Sequence, residues 1–339
     1  MKRAFVFEYL TGGGLIEADA AAAGEMLAMG LAMRDAIVDD LLRSGAFSVS
    51  AAVGDSAPAL AGDAHPVRAN AGEAMLDFVA RQAALHDASW VVAPETGGLL
   101  AQFQRAVGAR RWLGCDAGAI AMATSKRATL LRLAEHGIAT PLAFEHALEV
   151  THWVVKPDDG AGAVDTQRHA SYCAALEDAA QRSHAGTAMV VEPWVGGEAL
   201  SLSLLCTERA TELLSINRQR IGIDAGGTLS FDGVDINTLP IDGPRGGVLK
   251  RLADSVVQAI PGLHGFVGID LVWHADRGPV AIEVNPRVTC AYVGLSAVLG
   301  RNLAAELAGS VMEPQHAHQG TSVLRTPVFA LGAARRAHA

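Results

Sequence analysis

The stretch Gly265–Arg287, "GFVGIDLVWHADRGPVAIEVNPR", reads as two apolar strands flanking the turn "ADRG", Ala275–Gly278. Both strands suit a core, yet Asp270, Glu283 and Asn285 interrupt them, and Arg287 follows on the parity of Glu283. A hairpin closed by a four-residue loop sets His274 opposite Pro279, Asp270 opposite Glu283 and Gly268 opposite Asn285. Opposed residues of an antiparallel pair share a face, so two carboxylates and an amide converge. Directly opposed like charges cost about 0.2–1 kcal/mol, and more when buried. A divalent cation reverses that sign, and hard oxygen ligands suit Mg²⁺, with Mn²⁺ as a substitute. Gly268 leaves open space beside them. A sheet face solvated by water is the alternative reading of the same alternation.

Upstream, strand and helix patterns alternate as far as about Arg111. "AFVFEY" is a strand ending at Glu8 and the Gly-rich turn "LTGGGL", and "GEMLAMGLAMRDAIVDDLLRSG" is an amphipathic helix stopped by Gly45. "FSVSAAV", "AMLDFVARQAALH", "SWVVAP" and "LLAQFQRAV" complete an open α/β lobe over residues 1–112. Ligands of such lobes sit at the carboxyl ends of strands, here Glu8 with Gly13, and Glu95 in "APET".

Between the two regions lies a phosphate-like pattern. Lys156 ends the strand "THWVVKP", and the loop from Asp158 through Gly160 and Gly162 can turn its N–H groups toward an anion. It is not a Walker A sequence, and a plain surface loop would look the same. Lys126 starts the helix "SKRATLLRL", whose N-terminus attracts phosphate. "VVEPWVGGEALSL" has the composition of a hinge: Glu192 and Pro193 close a strand, Trp194 and Val195 follow, and Glu198 comes after a Gly–Gly bend. A simple strand connection is the alternative there.

Taken in order, these elements resemble the ATP-grasp superfamily. The resemblance implies an α/β (α+β) chain with an N-terminal open α/β domain at 1–112, a central lobe with a Gly-rich lid at 113–192 and a C-terminal metal-binding lobe at 193–312. A tail at 313–339 is expected to be poorly ordered. It implies that Lys126 and Lys156 hold ATP phosphates under the lid Asp158–Val164. Glu192, Pro193, Trp194 and Val195 would line the adenine pocket, and Glu198 would bind the ribose. Asp270, Glu283 and Asn285 would ligate magnesium, and Arg287 would meet the transferred phosphoryl group, with Arg218 and Arg220 as further candidates. "FVFEYLTGGG", "APET" and "NPRVTCAYVGLS" are similar to the tyramine–glutamate ligases of methanofuran biosynthesis and their methylotroph relatives, in which tyrosine can replace tyramine. That likeness implies a γ-glutamyl amide of an aromatic amine, made through an acyl phosphate. Thr289 and Tyr292 would lie beside the acyl group, and Asp232 to Asn237 would line the acceptor pocket.

Composition limits the partners. The net charge of −9 argues against a sequence-independent nucleic-acid binder. Four scattered cysteines without a CxxC pair argue against a zinc or disulfide framework and favour a reducing cytoplasm. No apolar run approaches a membrane span or a signal segment. Small-molecule carboxylate and amine substrates are the expected partners, and a homodimer, which these ligases often form, is allowed.

Overall fold

The structure is a computed structural model that describes residues 1–312 except 16–19, 56, 61, 146, 148–149, 161, 185 and 209. The tail expected at 313–339 lies outside the described residues.

The first strands are buried on both faces, which is why they read as continuous apolar runs. β1 (Lys2–Glu8) leads through α1 (Ala20–Arg43) to β2 (Phe47–Ala52) and the short β3 (His65–Val67). α2 (Met75–Leu85), β4 (Ala88–Val92) and α3 (Leu99–Val107) follow. The four strands form one sheet in the order β3-β2-β1-β4, paired in parallel. Phe5 and Phe7 pack on Phe78 and Phe103 on one face, while Ala4 and Val6 join the cluster beneath α1.

α4 (Ala117–Thr124) and α5 (Lys126–Glu135) are separated by Ser125, whose extended backbone ends one helix and whose hydroxyl caps the next through Ala128 N at 3.1 Å. That cap places Lys126 at the first position of α5. A small antiparallel sheet follows, β6-β5-β7, from β5 (Trp153–Pro157), β6 (Gln167–His169) and β7 (Met189–Pro193), with α6 (Tyr172–His184) on its apolar face.

The largest sheet, β10-β9-β8-β11-β12, is antiparallel. It contains β8 (Glu198–Cys206), β9 (Thr211–Ile223), β10 (Leu229–Leu239), β11 (Gly265–His274) and β12 (Gly278–Asn285), with α7 (Pro244–Ala259) crossing from β10 to β11. α8 (Leu295–Leu299) and α9 (Leu303–Met312) close the described chain. One face carries Leu200, Leu202, Ile216, Ile269, Leu271 and Val284 into a core shared with α4 and α7. The other carries Ser201, Ser203, Asn217, Gly268, Asp270, Glu283 and Asn285, by the same register.

The β11–β12 hairpin differs from the expected register at its tip and matches it at the carboxylates. His274 pairs with Gly278 and Trp273 with Pro279, so the expected pairing of His274 with Pro279 is corrected. Gly278, at φ +71, takes the left-handed position and joins the ladder instead of the loop. A bulge between Asp270 and Leu271 then absorbs one residue of β12, Ile282, and restores Asp270 opposite Glu283 and Gly268 opposite Asn285.

Candidate active site

The polar face of the large sheet is a window between two apolar clusters. At one end Phe266, Val288 and Tyr292 pack beneath α1 and α9; at the other, Phe144, Val195 and Val280 pack with Val272 and Ile282. Burial on both sides holds the strand in place and leaves the carboxylates to be satisfied within the window. Asp270 accepts from Gln219 Nε2 at 2.9 Å and from Asn285 Nδ2 at 3.0 Å. Desolvation, then the charge of Glu283, push its pKa up to about 7 from an ordinary 3.8. Lys126 Nζ lies 3.1 Å from Glu283 Oε1 and also donates to the carbonyl of Gly160.

The lid loop makes a contact at each of three successive residues. Asp158 caps α5, accepting from Ser125 Oγ at 2.7 Å and Arg127 N at 2.8 Å. Asp159 Oδ2 accepts from Gly97 N at 2.8 Å, and Gly160 meets Lys126. Asp158 therefore organises the helix start that carries Lys126, rather than offering a free carboxylate to a nucleotide. Lys156 faces the same side of the small sheet as Glu192 and donates to its Oε1 at 2.5 Å; Glu192 Oε2 is buried with no hydrogen-bond partner. Pro193 and Val195 are buried, and Trp194 stacks beneath Arg168 at 5.6 Å.

A model of the ATP-grasp domain matches residues 123–291, and one of the pre ATP-grasp 3 domain matches residues 47–120. The chain belongs to the ATP-grasp superfamily. The tyramine–L-glutamate ligase of Methanocaldococcus fervens is 28% identical over 190 residues, 54% of this chain and 52% of that protein. Its namesake from Methanocaldococcus jannaschii is 29% identical over 211 residues, 62% of this chain and 58% of that protein. The chain thus spans between half and three fifths of these curated relatives. Among solved structures, the L-amino acid ligase of Bacillus licheniformis superposes with a TM-score of 0.63 at 17% identity, over 92% of this chain and 74% of that one. The D-alanine–D-alanine ligase of Bacillus anthracis in complex with ATP gives 0.61 at 14% identity, over 92% and 97%. These two show the shared ATP-grasp fold.

Several residues expected at the ATP-grasp site stand elsewhere. Arg218 pairs with Leu200, while its neighbours Asn217 and Gln219 face the site, so Arg218 points to the opposite face from Asp270 and is corrected as a catalytic candidate. There its Nη2 meets Glu198 at 2.6 Å; Arg245 Nη1 meets the other oxygen of Glu198 at 2.7 Å and stacks over Trp273 at 4.3 Å. Burial pushes the Glu198 pKa up, but hydrogen bonds from the two arginines outweigh it and hold the carboxylate low. Both carboxylate oxygens expected for a ribose are thus engaged by guanidinium groups. Arg220 bonds Asp235 and the carbonyl of Asp232 along the β9–β10 hairpin, also away from the window.

Tyr292, expected beside the acyl group, is 1% exposed and donates to Asp40 Oδ2 of α1 at 2.6 Å. Glu8 is 4% exposed and accepts from Leu10 N and Thr11 N, closing the Gly-rich turn; desolvation raises its pKa. Gly13, at φ +103, packs against Gly54 in that turn. Gly268 opens no entry, because the methyl of Thr289 covers it: a Cβ there would lie 2.8 Å from Thr289 Cγ2. Asn237 sits at the window's edge in a left-handed conformation, φ 52, and its N–H donates to Asn217 Oδ1 at 3.0 Å.

Glu95 and Arg287 form a bidentate pair, Nε to Oε1 at 2.9 Å and Nη2 to Oε2 at 3.0 Å. Arg287 lies near enough to Asp270 for its charge to lower the Asp270 pKa. The residues missed by sequence reading are Gln219, Asn217, Ser201 and Ser203, which floor the window. Their signal was the alternation in "ALSLSLLC" and "LLSINRQRI".

Among the described residues no three His, Cys, Asp or Glu side chains cluster as a metal site. The Asp270–Glu283 pair with the Asn285 amide is a set of two carboxylates and one neutral oxygen. The like charge that remains beside Lys126 and Arg287, and the raised Asp270 pKa, fit a hard divalent cation. All four cysteines are free, and no described helix is long and apolar enough to cross a membrane.

Proposed function

We propose that this chain is an ATP-dependent carboxylate–amine ligase that works through an acyl phosphate. The observation that carries the reading is the meeting of Lys126 with Glu283 and the lid carbonyl of Gly160, beside Asp270 and Asn285. A phosphate-binding lysine, a closing loop and a hard-cation carboxylate occupy one point, as phosphoryl transfer requires. Asp270, Glu283 and Asn285 would hold Mg²⁺ or Mn²⁺, which would neutralise phosphate charge. Lys126 and Lys156 would bind phosphate oxygens. The buried, unpartnered Glu192 Oε2 suits the exocyclic amine of adenine at the hinge Pro193–Val195.

In the reaction, a substrate carboxylate oxygen attacks the γ-phosphorus and ADP leaves. An amine nitrogen then attacks the acyl carbon, phosphate leaves, and the amine loses a proton. Arg287 stands on the side of the window where the transferred group would lie, with Thr289 beyond Gly268. The closed lid excludes water, which would otherwise hydrolyse the acyl phosphate. The names of the curated relatives support L-glutamate as the carboxylate donor and tyramine, or tyrosine, as the amine. The product would be the γ-glutamyl amide used in methanofuran- or methylofuran-type cofactor assembly, made in the cytoplasm.

The test is incubation with ATP, Mg²⁺, L-glutamate and tyramine or tyrosine, reading ADP release and amide mass. Release with alanine pairs alone would replace the substrate assignment by a dipeptide or D-alanine–D-alanine type. Binding of ATP with no ADP release for any carboxylate–amine pair would favour an ATP-binding regulatory module. Glu283→Gln preserves shape and removes a ligand charge; it should reduce turnover by at least about 10²-fold, with an unchanged circular dichroism spectrum.

A further inference from the structure

The turn Pro94–Gly98, at the carboxyl end of β4, touches two separate parts of the molecule. Glu95 is 4% exposed and takes both of its carboxylate oxygens to Arg287, just past the end of β12. Two residues on, Gly97 N donates to Asp159 Oδ2 of the lid at 2.8 Å, and Thr96 Oγ1 reaches the Asp159 carbonyl at 3.3 Å. Gly97 and Gly98 are both left-handed, at φ +63 and +67. That conformation is open to glycine at little cost and turns the Gly97 N–H outward to the lid. Arg287 gives Nε and one Nη2 hydrogen to Glu95 and Nη1 to the Val288 carbonyl at 3.2 Å. One N–H on each Nη remains to point at an oxyanion.

We propose that Glu95 is a positioning residue for Arg287, and that Asp159 latches the lid to the same turn, so that lid closure and arginine orientation are set together. The proposal rests on the ligase reading for its kinetic consequence, but its mechanical part stands apart from it. A carboxylate that grips two edges of a guanidinium fixes the plane of the whole group. A lid docked two residues away can then close only when that turn holds its shape. Both contacts join the N-terminal lobe to parts of the chain that would handle the phosphoryl group. The N-terminal lobe would therefore act on the phosphoryl step without touching the nucleotide.

The experiment uses the full chain. In steady-state assays with ATP, L-glutamate and tyramine, Glu95→Gln should lower kcat about tenfold or more and raise the KM for ATP by less than Asp159→Ala does. Asp159→Ala should raise the KM for ATP, and Asp159→Asn, which keeps an acceptor oxygen, should restore most of it. A Glu95→Gln variant that keeps kcat and raises only the KM for the carboxylate would make Glu95 a substrate contact and overturn the proposal. Hydrogen exchange on the nucleotide-free protein gives the second arm. Glu95→Gln should speed exchange in the lid segment 156–168, and Asp159→Ala should speed it in segment 284–292 around Arg287, because coupling is reciprocal. If each variant loosens only its own segment, the two contacts are independent and the coupling is refuted. If the wild type releases no ADP with any substrate pair, the ligase reading fails, and the exchange result still decides the latch.

Discussion

Asp270 is the residue at which stability and proposed function oppose each other most directly. Its pKa is raised to about 7, first by desolvation and then by Glu283. The folded state therefore binds more protons than the unfolded state between about pH 4 and 7. The stability this gives is complete below the unfolded value and is lost as pH rises through about 7. Asp270→Asn should stabilise the metal-free chain at pH 8 by about 1–3 kcal/mol, since Gln219 can turn its amide to suit. Urea melts at pH 8 and pH 5 should show this gain shrinking at the lower pH, while turnover is lost. Mg²⁺ would stabilise the wild type more at pH 8 than at pH 6, because binding must displace the Asp270 proton below its pKa. Tyr292 gives the opposite case. Its hydroxyl is buried against Asp40 and touches nothing in the window. Tyr292→Phe should cost about 1–3 kcal/mol of stability and leave kcat and both KM values unchanged. A large kcat loss at unchanged stability would return Tyr292 to the acyl site.

At the level of elements, the β9–β10 hairpin crosses to the small sheet, at the strand that follows the lid. Its tip pairs with β6, Arg168 N donating to the Gly227 carbonyl at 2.8 Å and Leu229 N to the Thr166 carbonyl at 2.9 Å. Gln167 Nε2 adds a bond to the Gly226 carbonyl at 2.6 Å. Gly227 is left-handed at φ +91, and a Cβ there would run into the Arg168 carbonyl. Gly227→Ala should bias the docked tip open by about 1–2 kcal/mol, raising the KM for ATP about tenfold while global melting changes little. An unchanged KM would mean that the tip does not constrain the lid. The β11–β12 hairpin was legible because its alternation is local and its turn carries Gly278. Its tip was misread because a left-handed glycine can join the ladder, and a bulge further along hid the slip. β10 was not legible: "LSFDGVDINTL" mixes exposed polar residues with two register shifts, so no period survives. The orientation of Arg218 and Glu198 depends on how β8 and β9 pair, which spacing within either strand does not reveal. The serine and asparagine alternation did mark the inward face, and reading its parity would have sent Arg218 outward.

Over the whole molecule, the apolar clusters do not follow the three lobes. One joins Phe5, Phe7 and Phe103 of the N-terminal lobe to α4, α7 and the back of the large sheet. A second joins α1 and β4 to Phe266, Tyr292 and α9. Asp40 draws these parts together, accepting from Tyr292 and from Ser296 at 2.5 Å, with Asn302 Nδ2 on its carbonyl at 2.6 Å. The small sheet has its own minor cluster of Val155, Ala175 and Ala179, with Trp153, Met189 and Val191 around it. The N-terminal and C-terminal parts should therefore unfold as one cooperative unit, and the lobe around β5–β7 should open first. Native-state hydrogen exchange should show amides of 153–193 exchanging through a lower-energy opening than those of β1, β4, β8 and β11. ATP with Mg²⁺ should raise protection selectively in that lobe, since ligand binding there favours the closed state. A fragment of residues 1–112 alone should lack cooperative melting, because α1 would lose α9 and α3 would lose α4, on which they pack. If that fragment melts cooperatively, the shared clusters are not needed for its fold. Coupling between the N-terminal lobe and the window would then rest on the polar contacts of the Pro94–Gly98 turn with Arg287 and Asp159.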